Sequence, residues 1–214
     1  MMEPNFWLSR WEQNQIGFHE QHVHPMLLKY WQEVASVDAS RPNVFVPLCG
    51  KSLDMLWLME AGYDVVGVEL SELAVEAFFI ENNLSYVKSS DGLLQKYSSE
   101  RVTLWCGDMH DLSAAQLPAL NYFYDRAALV ALPLDMRHSY IKQLKRLLTP
   151  SSVGLLVALE YEPDMVSPPP HSVPLTMVES AYQGLFTHRV LGSGTGEVKG
   201  KPCTEHALFL QTMG

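Results

Sequence analysis

The chain has 214 residues, of which 15 are basic and 24 acidic, so its formal net charge is −9. Hydrophobic residues make up 47% and charged residues 18%, which is ordinary for a globular protein and argues against disorder. The acidic balance, without any run of Lys or Arg, argues against nucleic-acid binding, and no apolar run reaches the ~18 residues of a membrane span. Three widely spaced cysteines, with no recognisable secretory signal, predict a cytoplasmic protein.

Short apolar runs alternate with helical patterns along the chain, beginning with an amphipathic pattern over His22–Val37. Seven runs with nearly continuous apolar interiors predict strands that are buried on both faces: Asn43–Cys49, Asp64–Glu69, Arg101–Gly107, Asn121–Asp125, Val153–Glu160, Phe186–Leu191 and His206–Gln211. Further helices are predicted over Lys51–Ala61, from the N-cap Ser71 to about Asn83, and over Leu134–Leu148. This alternation predicts a doubly wound, mostly parallel sheet in an α/β fold.

Three segments lack a clear pattern of this kind. Ser85–Glu100 is interpreted as a loop with weak helix, and the Gly-rich segment Gly192–Lys201 as the loop of an antiparallel hairpin at one edge of the sheet. Ser167–His171 contains three consecutive prolines and predicts a rigid, extended connection. Because it follows the end of a strand, it is either a plain connection or one wall of a ligand site.

The ends of the first two predicted strands favour a nucleoside cofactor. Ligands of open α/β sheets bind at the carboxyl ends of the strands, near the switch in strand order. Gly50 follows the first strand, but the other glycines of a dinucleotide fingerprint are absent. Glu69 lies 69 − 50 = 19 residues later, close to the spacing expected for an acid that binds ribose hydroxyls. These features favour S-adenosylmethionine, with a surface glutamate at a strand end as the alternative.

The next two strand ends add further candidates. Asp108 can accept a hydrogen bond from an adenine amino group and Met109 can pack on the ring, although Asp108 and Asp111 are also good helix N-caps. Arg126 follows Asp125 where the cofactor and the substrate would meet.

Five segments resemble the thiopurine S-methyltransferase family, in the form of its bacterial members, which lack the N-terminal extension of the vertebrate ones: Phe6–Trp11, Gly17–His19, Val46–Ser52, Gly67–Ser71 and Asp125–Ala131. The turn Pro47–Ser52 is the most specific of them, and the resemblance extends from about Phe6 to Phe209. It implies a class I S-adenosylmethionine-dependent methyltransferase fold with a seven-stranded sheet, in a single domain over residues 1–214. It also implies methylation of aromatic thiols such as thiopurines, and bacterial members are associated with selenium and tellurium compounds.

The resemblance further implies roles for individual residues. Residues 1–37 would form a lid and a helix over the cofactor site, and Arg126 would be the catalytic residue. Phe18 and Arg126 would contact the substrate, and Pro170, in the proline segment after a strand end, is a further candidate for that contact. The expected cofactor contacts are Trp7, Trp11, Leu48, Gly50, Glu69, Asp108, Met109 and Arg126.

Arg126 is expected to favour a thiolate or to orient the purine through charge-assisted hydrogen bonds. The alternative is a structural ion pair with Asp125 or Glu160. Vertebrate members place an arginine near the substrate in the loop before the final strand, whereas this chain has only Lys199 and Lys201 there. Lysine lacks the planar fork of arginine, so the substrate preference can differ.

Other functions stay open from the sequence alone. A cofactor-binding sensor without turnover is one, and a nucleotide-dependent oxidoreductase is another, although the missing glycines disfavour it. No metal site is predicted, because His22 and His24 lie two residues apart and do not share a helix face. The expected partner is a small molecule, with neither nucleic acid nor membrane, and a monomer is the default expectation.

Overall fold

The computed structural model describes residues 4–35 and 41–214 of the chain. In these residues the strands are β1 (Asn43–Pro47), β2 (Asp64–Glu69), β3 (Val87–Asp91), β4 (Leu94–Ser98), β5 (Val102–Cys106), β6 (Leu120–Arg126), β7 (Val153–Glu160), β8 (Phe186–Val198) and β9 (Lys201–Thr212). The helices are α1 (Pro4–Glu12), α2 (Pro25–Val34), α3 (Asp54–Glu60), α4 (Glu72–Glu81), α5 (Leu134–Leu147) and α6 (Leu175–Tyr182). All seven predicted strands are present, with shifted ends. The predicted end of the first amphipathic helix, Val37, lies outside the described residues.

All nine strands form one mixed sheet in the order β3-β4-β5-β2-β1-β6-β7-β9-β8. The five central strands are parallel, and the strands at both edges pair antiparallel. The chain runs from β1 outward through β2 to β5 and then returns to the other side of β1 at β6, so the switch in strand order lies between β1 and β6. The predicted doubly wound sheet with an antiparallel C-terminal hairpin is confirmed.

Helices cover both faces of the sheet because side chains alternate along each strand. Phe45 packs in one core with α5 and α6, whereas its neighbours Val44 and Val46 pack in the other with α2, α3 and α4. Trp31 of α2 is buried in the second core. In the described part of the chain, no helix combines the length and the apolar character that a membrane crossing requires.

Ser85–Glu100 forms the hairpin of β3 and β4, so the prediction of a loop with weak helix is wrong, and the sheet has two strands beyond the predicted seven. Every residue of β3 is exposed, which leaves no apolar pattern for a sequence to show. The two strands are joined by a two-residue turn in which Gly92 has a φ of 63°. Leu94 and Tyr97 of β4 are buried and anchor the hairpin to the rest of the sheet.

Gly192–Lys201 is not a loop either, because β8 continues through the glycines to Val198 and β9 begins at Lys201. The connection is the two-residue turn Lys199-Gly200, with φ values of 50° and 75°. Tight hairpins favour such left-handed turns because their twist matches that of the strands. The glycines therefore need an explanation other than a flexible loop.

Candidate active site

A cavity of about 740 Å³ lies at the carboxyl ends of the central strands, next to the switch in strand order. Its volume lies in the range of small-molecule sites. The structure brings all the predicted site residues onto its wall: Trp7, Trp11, Phe18, Leu48, Gly50, Glu69, Asp108, Met109, Arg126 and Pro170. The turns after β1, β2 and β5 form one half of the cavity, which we call the cofactor half. The ends of β6, β7 and β9 form the other half, which we call the acceptor half.

Glu69 joins two turns of the cofactor half. Its Oε2 accepts a hydrogen bond from the backbone N–H of Gly50 at 2.9 Å, and its Oε1 accepts one from the N–H of Ser71 at 2.8 Å. Burial raises the pKa of Glu69, and the backbone N–H donors offset only part of that effect. A carboxylate offers about four acceptor positions. Glu69 can therefore hold these turns together and still accept hydrogen bonds from a ligand.

Gly50 permits close approach of an aromatic ring to the turn after β1. Its φ is 51°, a left-handed conformation that glycine adopts without steric cost. A Cβ placed at this position would lie 3.2 Å from Cζ2 of Trp11. The Trp11 ring therefore packs directly on the turn and leaves no room for a side chain at position 50.

Three aromatic side chains, Trp7, Trp11 and Phe18, line this part of the cavity, and we call them the aromatic lid. The Phe18 ring lies 5.6 Å from that of Trp7 and 5.4 Å from that of Trp11, and both contacts are edge-to-face. Within residues 4–35, α1 and the loop after it line the cavity, while α2 packs against the sheet, and a lid over residues 1–37 stays a prediction. Residues 1–3, 36 and 37 lie outside the described residues.

Asp108 and Met109 lie where β5 ends. The Oδ1 atom of Asp108 accepts a hydrogen bond from the N–H of His110 at 2.8 Å, so this residue does cap a short 3-10 turn. Its side chain is exposed at the cavity, whereas Met109 is buried against the core and borders the cavity. The capping role of Asp108 therefore leaves its side chain open to the cavity.

Arg126 projects into the acceptor half from the end of β6. Its Nη2 atom forms an ion pair at 3.1 Å with Oε1 of Glu20, in the loop after α1. The Arg126 side chain is 13% exposed and that of Glu20 is 58% exposed. The predicted alternative of an ion pair with Asp125 or Glu160 is wrong, because both of these carboxylates bond other side chains.

Asp125 lies directly beneath this site and is completely buried. It accepts hydrogen bonds from the Tyr140 hydroxyl at 2.6 Å and from the N–H of Leu129 at 3.3 Å. Burial raises the pKa of Asp125 to about 6. The Tyr140 side chain lines the cavity and covers Asp125.

The three-proline segment does form a wall of the cavity, through Pro169 and Pro170. The Tyr161 hydroxyl donates to the carbonyl oxygen of Pro170 at 2.7 Å. Lys199 also lines the cavity, and its Nζ donates to the carbonyl oxygen of Ser167 at 2.6 Å. Of the two lysines considered from the sequence, Lys199 therefore joins the hairpin turn to the proline segment beside the acceptor half.

Sequence reasoning missed much of the cavity lining, including the ionisable residues Glu20, His24 and Glu205. Glu20 and Glu205 carried no local signal, and His24 was weighed only as a metal ligand. The Nε2 atom of His24 lies 3.3 Å from Oε1 of Glu205. The one available clue was the alternation of glycines in β8, because glycines two residues apart lie on the same face of a strand.

Solved structures identify the fold. 1,6-Didemethyltoxoflavin-N1-methyltransferase of Burkholderia thailandensis, solved with bound S-adenosylhomocysteine, has a TM-score of 0.66 and 13% identity over 99% of this chain and 87% of that chain. A SAM-dependent methyltransferase of Anabaena variabilis has a TM-score of 0.64 and 13% identity over 98% of this chain and 94% of that chain. The fold is that of S-adenosylmethionine-dependent methyltransferases.

The sequence comparisons identify the family within this class. The family described as thiopurine S-methyltransferase matches residues 2–201. A thiopurine S-methyltransferase of Shewanella sp. (strain MR-4) is 51% identical over 217 residues, which cover 98% of both chains. The chain belongs to the thiopurine S-methyltransferase family. The predicted enzyme class and the predicted cofactor, S-adenosylmethionine, are confirmed by this membership together with the fold.

Proposed function

We propose that the protein methylates the sulfur of aromatic or heterocyclic thiols, thiopurines among them, and also selenium or tellurium compounds, as a cytoplasmic, monomeric detoxifying enzyme. When bound, S-adenosylmethionine supplies an electrophilic methyl group on a cationic sulfur. One observation supports the proposal above others: the aromatic lid and Arg126 face the same cavity as Glu69 and Gly50. Binding residues for a nucleoside and a cationic side chain for a thiolate thus share one enclosed space.

In the cofactor half, Glu69 accepts hydrogen bonds from the ribose hydroxyls, and Asp108 and Met109 lie where the adenine would bind. The lid rings Trp7 and Trp11 present π-faces that attract a sulfonium, an interaction of about 0.5–2 kcal/mol for each ring.

In the acceptor half, Arg126 stabilises the thiolate form of the acceptor through its charge and its planar set of donors. Val130, Leu132 and Leu159 form an apolar wall beside it and exclude water. A dry, shaped site of this kind holds a nucleophile at the near-attack distance of about 3–3.5 Å, and heteroaromatic thiols ionise readily enough to need no strong base.

The direct test is incubation of the purified protein with S-adenosylmethionine and 6-mercaptopurine, with the product detected by mass. We expect an S-methylated product from wild type, and parallel incubations with selenite and tellurite test the second substrate class. Binding of S-adenosylhomocysteine without any methylated product from any of these acceptors would contradict the proposal and favour a sensor.

A further inference from the structure

The acceptor half contains a carboxylate that the proposed mechanism does not use. Glu205, on β9, pairs in register with Leu159 of β7 on one side and with Gly194 of β8 on the other. Both Glu205 and Leu159 line the cavity. Among the described residues, its Oε1 atom contacts His24, and its Oε2 atom has no hydrogen-bond partner. The cavity therefore contains a carboxylate oxygen that is free to accept a hydrogen bond. The positive charge of Arg126 lies close enough to lower the pKa of this carboxylate.

The glycines of β8 explain how His24 reaches this carboxylate. Gly192, Gly194 and Gly196 alternate along the strand and so share one face. A Cβ on Gly192 would lie 2.0 Å from the Tyr30 hydroxyl oxygen, and one on Gly194 would lie 3.0 Å from Cε of Met26. The bare face of the strand thus lets α2 pack directly against the hairpin, and His24 is the N-cap of α2.

The third glycine of this face makes room for the carboxylate itself. A Cβ on Gly196 would lie 2.9 Å from Cγ and 3.0 Å from Cδ of Glu205. Any larger residue at position 196 would therefore displace the Glu205 side chain. The sequence Gly-Ser-Gly-Thr-Gly fixes the position of Glu205 as well as that of α2.

His24 is held as a donor toward Glu205. Its backbone N–H donates to Oδ1 of Asp54 at 2.8 Å, and its Nδ1 accepts from the N–H of Met26 at 3.3 Å. Because Nδ1 acts as an acceptor, the proton of the neutral ring is on Nε2, which faces Glu205. The hydrogen bond from His24 and the nearby charge of Arg126 lower the pKa of Glu205 despite its partial burial. Glu205 therefore remains an ionised acceptor at neutral pH.

A second pair of the same chemistry lies next to the first and serves as a natural control. Nε2 of His206 is 3.0 Å from Oε2 of Glu160. Because successive side chains of a strand point to opposite faces, His206 points away from the face of Glu205. Neither member of this second pair is among the described residues that line the cavity.

We propose that Glu205, oriented by His24, determines acceptor specificity by accepting a hydrogen bond from a ring N–H that the acceptor retains when its sulfur is ionised, such as the imidazole N–H of a purine. This inference rests on the proposed function and adds to it a substrate class, the heteroaromatic thiols and thiones that carry such an N–H. A simple benzenethiol has no group that could donate this bond. A site that is built to bond a polar group discriminates against analogues that lack it.

The test compares two acceptors and three proteins. 6-Mercaptopurine carries ring N–H groups and thiophenol carries none. Wild type, Glu205→Gln and the control Glu160→Gln are assayed for kcat/KM with both thiols. Calorimetry then measures the Kd of each thiol for protein saturated with S-adenosylhomocysteine. Glutamine keeps the volume of the side chain and an oxygen for His24, but it loses the charge.

For 6-mercaptopurine, we expect Glu205→Gln to raise Kd and lower kcat/KM about tenfold each. This change corresponds to the loss of one hydrogen bond to a charged acceptor. In Glu205→Gln, the Kd and kcat/KM for thiophenol and the affinity for S-adenosylhomocysteine should change less than twofold. Glu160→Gln should leave the Kd and kcat/KM for both thiols unchanged. An equal loss for both thiols, or no loss for 6-mercaptopurine, would overturn the inference while leaving the proposed function intact. A wild type that methylates neither thiol would overturn the proposed function and the inference with it.

His24→Asn provides a second route if Glu205→Gln does not fold. Asparagine is a good N-cap, so α2 retains its first turn while Glu205 loses its donor. We expect a loss of about threefold that is confined to 6-mercaptopurine. A loss that is equal for both thiols would indicate a structural role for the pair and would contradict the inference.

Discussion

Two buried carboxylates lie at strand ends on either side of the switch in strand order, and their surroundings differ. Burial raises the pKa of both Glu69 and Asp125. Glu69 is held by backbone N–H groups of two turns and lines the cavity, whereas Asp125 is covered by Tyr140 and is inaccessible. Backbone donors leave the side of Glu69 that faces the cavity open, so this acid can bind a ligand. Asp125 instead fixes the strand end that presents Arg126.

The largest expected effect is that of Glu69→Ala on the cofactor half. The substitution removes the proposed acceptor of the ribose hydroxyls and leaves the N–H groups of Gly50 and Ser71 without their partner. We expect the affinity for S-adenosylhomocysteine to fall about 100-fold or more, since hydrogen bonds to a charged group contribute about 1.5–3 kcal/mol each. Calorimetry measures this, and Asp125→Asn serves as the control, with an expected change below threefold. Wild-type affinity in Glu69→Ala would remove Glu69 from the site.

Asp125→Asn tests the other carboxylate through the pH dependence of stability. Its pKa is raised from an ordinary value of 3.8 to about 6, so the unfolded chain releases this proton at a lower pH than the folded protein. Wild type therefore loses unfolding free energy as the pH rises from about 4 to about 6, by at most about 3 kcal/mol. Asparagine does not titrate, so the unfolding free energy of the variant should rise relative to that of wild type over this pH range.

Urea unfolding of both proteins at pH 4, 5, 6 and 7 measures this difference. If the difference in unfolding free energy between Asp125→Asn and wild type were constant across these pH values, the assigned role of Asp125 would be incorrect. The affinity of the variant for S-adenosylhomocysteine provides an independent check that the site has kept its structure.

Arg126→Ala tests the acceptor half with a smaller expected effect. The kcat/KM for thiol acceptors should fall about 30-fold, through loss of charge-assisted hydrogen bonds to the thiolate. Stability should change by less than about 1 kcal/mol, because the partner Glu20 is largely exposed and such pairs contribute little. Arg189→Ala, which removes a cation from the face of Phe209 on the outer hairpin, is the matched control. Unchanged turnover and unchanged cofactor affinity in Arg126→Ala would contradict the proposed role.

The cofactor half could be predicted from sequence because its groups occur in short local patterns. Gly50 follows an apolar strand, and Glu69 ends the next one at a spacing that the β-α-β geometry sets. Each of these residues is positioned mainly by its own strand and turn. Local sequence therefore contained nearly all the information that places them.

The acceptor half could not be predicted in the same way, because its groups are far apart in sequence. Arg126 reaches Glu20, Lys199 reaches Ser167, and Glu205 reaches His24 only after the strands have paired. The prediction missed strand β3 for a related reason. This exposed, polar strand is stabilised by pairing with β4 and has no apolar periodicity of its own. The glycines of β8 gave a wrong prediction for the opposite reason. A Gly-rich composition is typical of a loop, but here the alternating glycines form the bare strand face against which α2 packs.

Gly50→Ala has the smallest expected effect and tests how the lid depends on the turn beneath it. Alanine at this position must adopt a φ of 51°, which costs about 1–2 kcal/mol, and its Cβ would lie 3.2 Å from the Trp11 ring. The ring must then shift outward, so we expect an affinity for S-adenosylhomocysteine about tenfold lower and a change in tryptophan fluorescence. Gly184→Ala, at a φ of 73° with open space around its Cβ, imposes similar backbone strain away from the cavity and is the control. If both variants lowered the affinity equally, backbone strain alone would account for the effect, and the contact between Gly50 and Trp11 would have no role in binding.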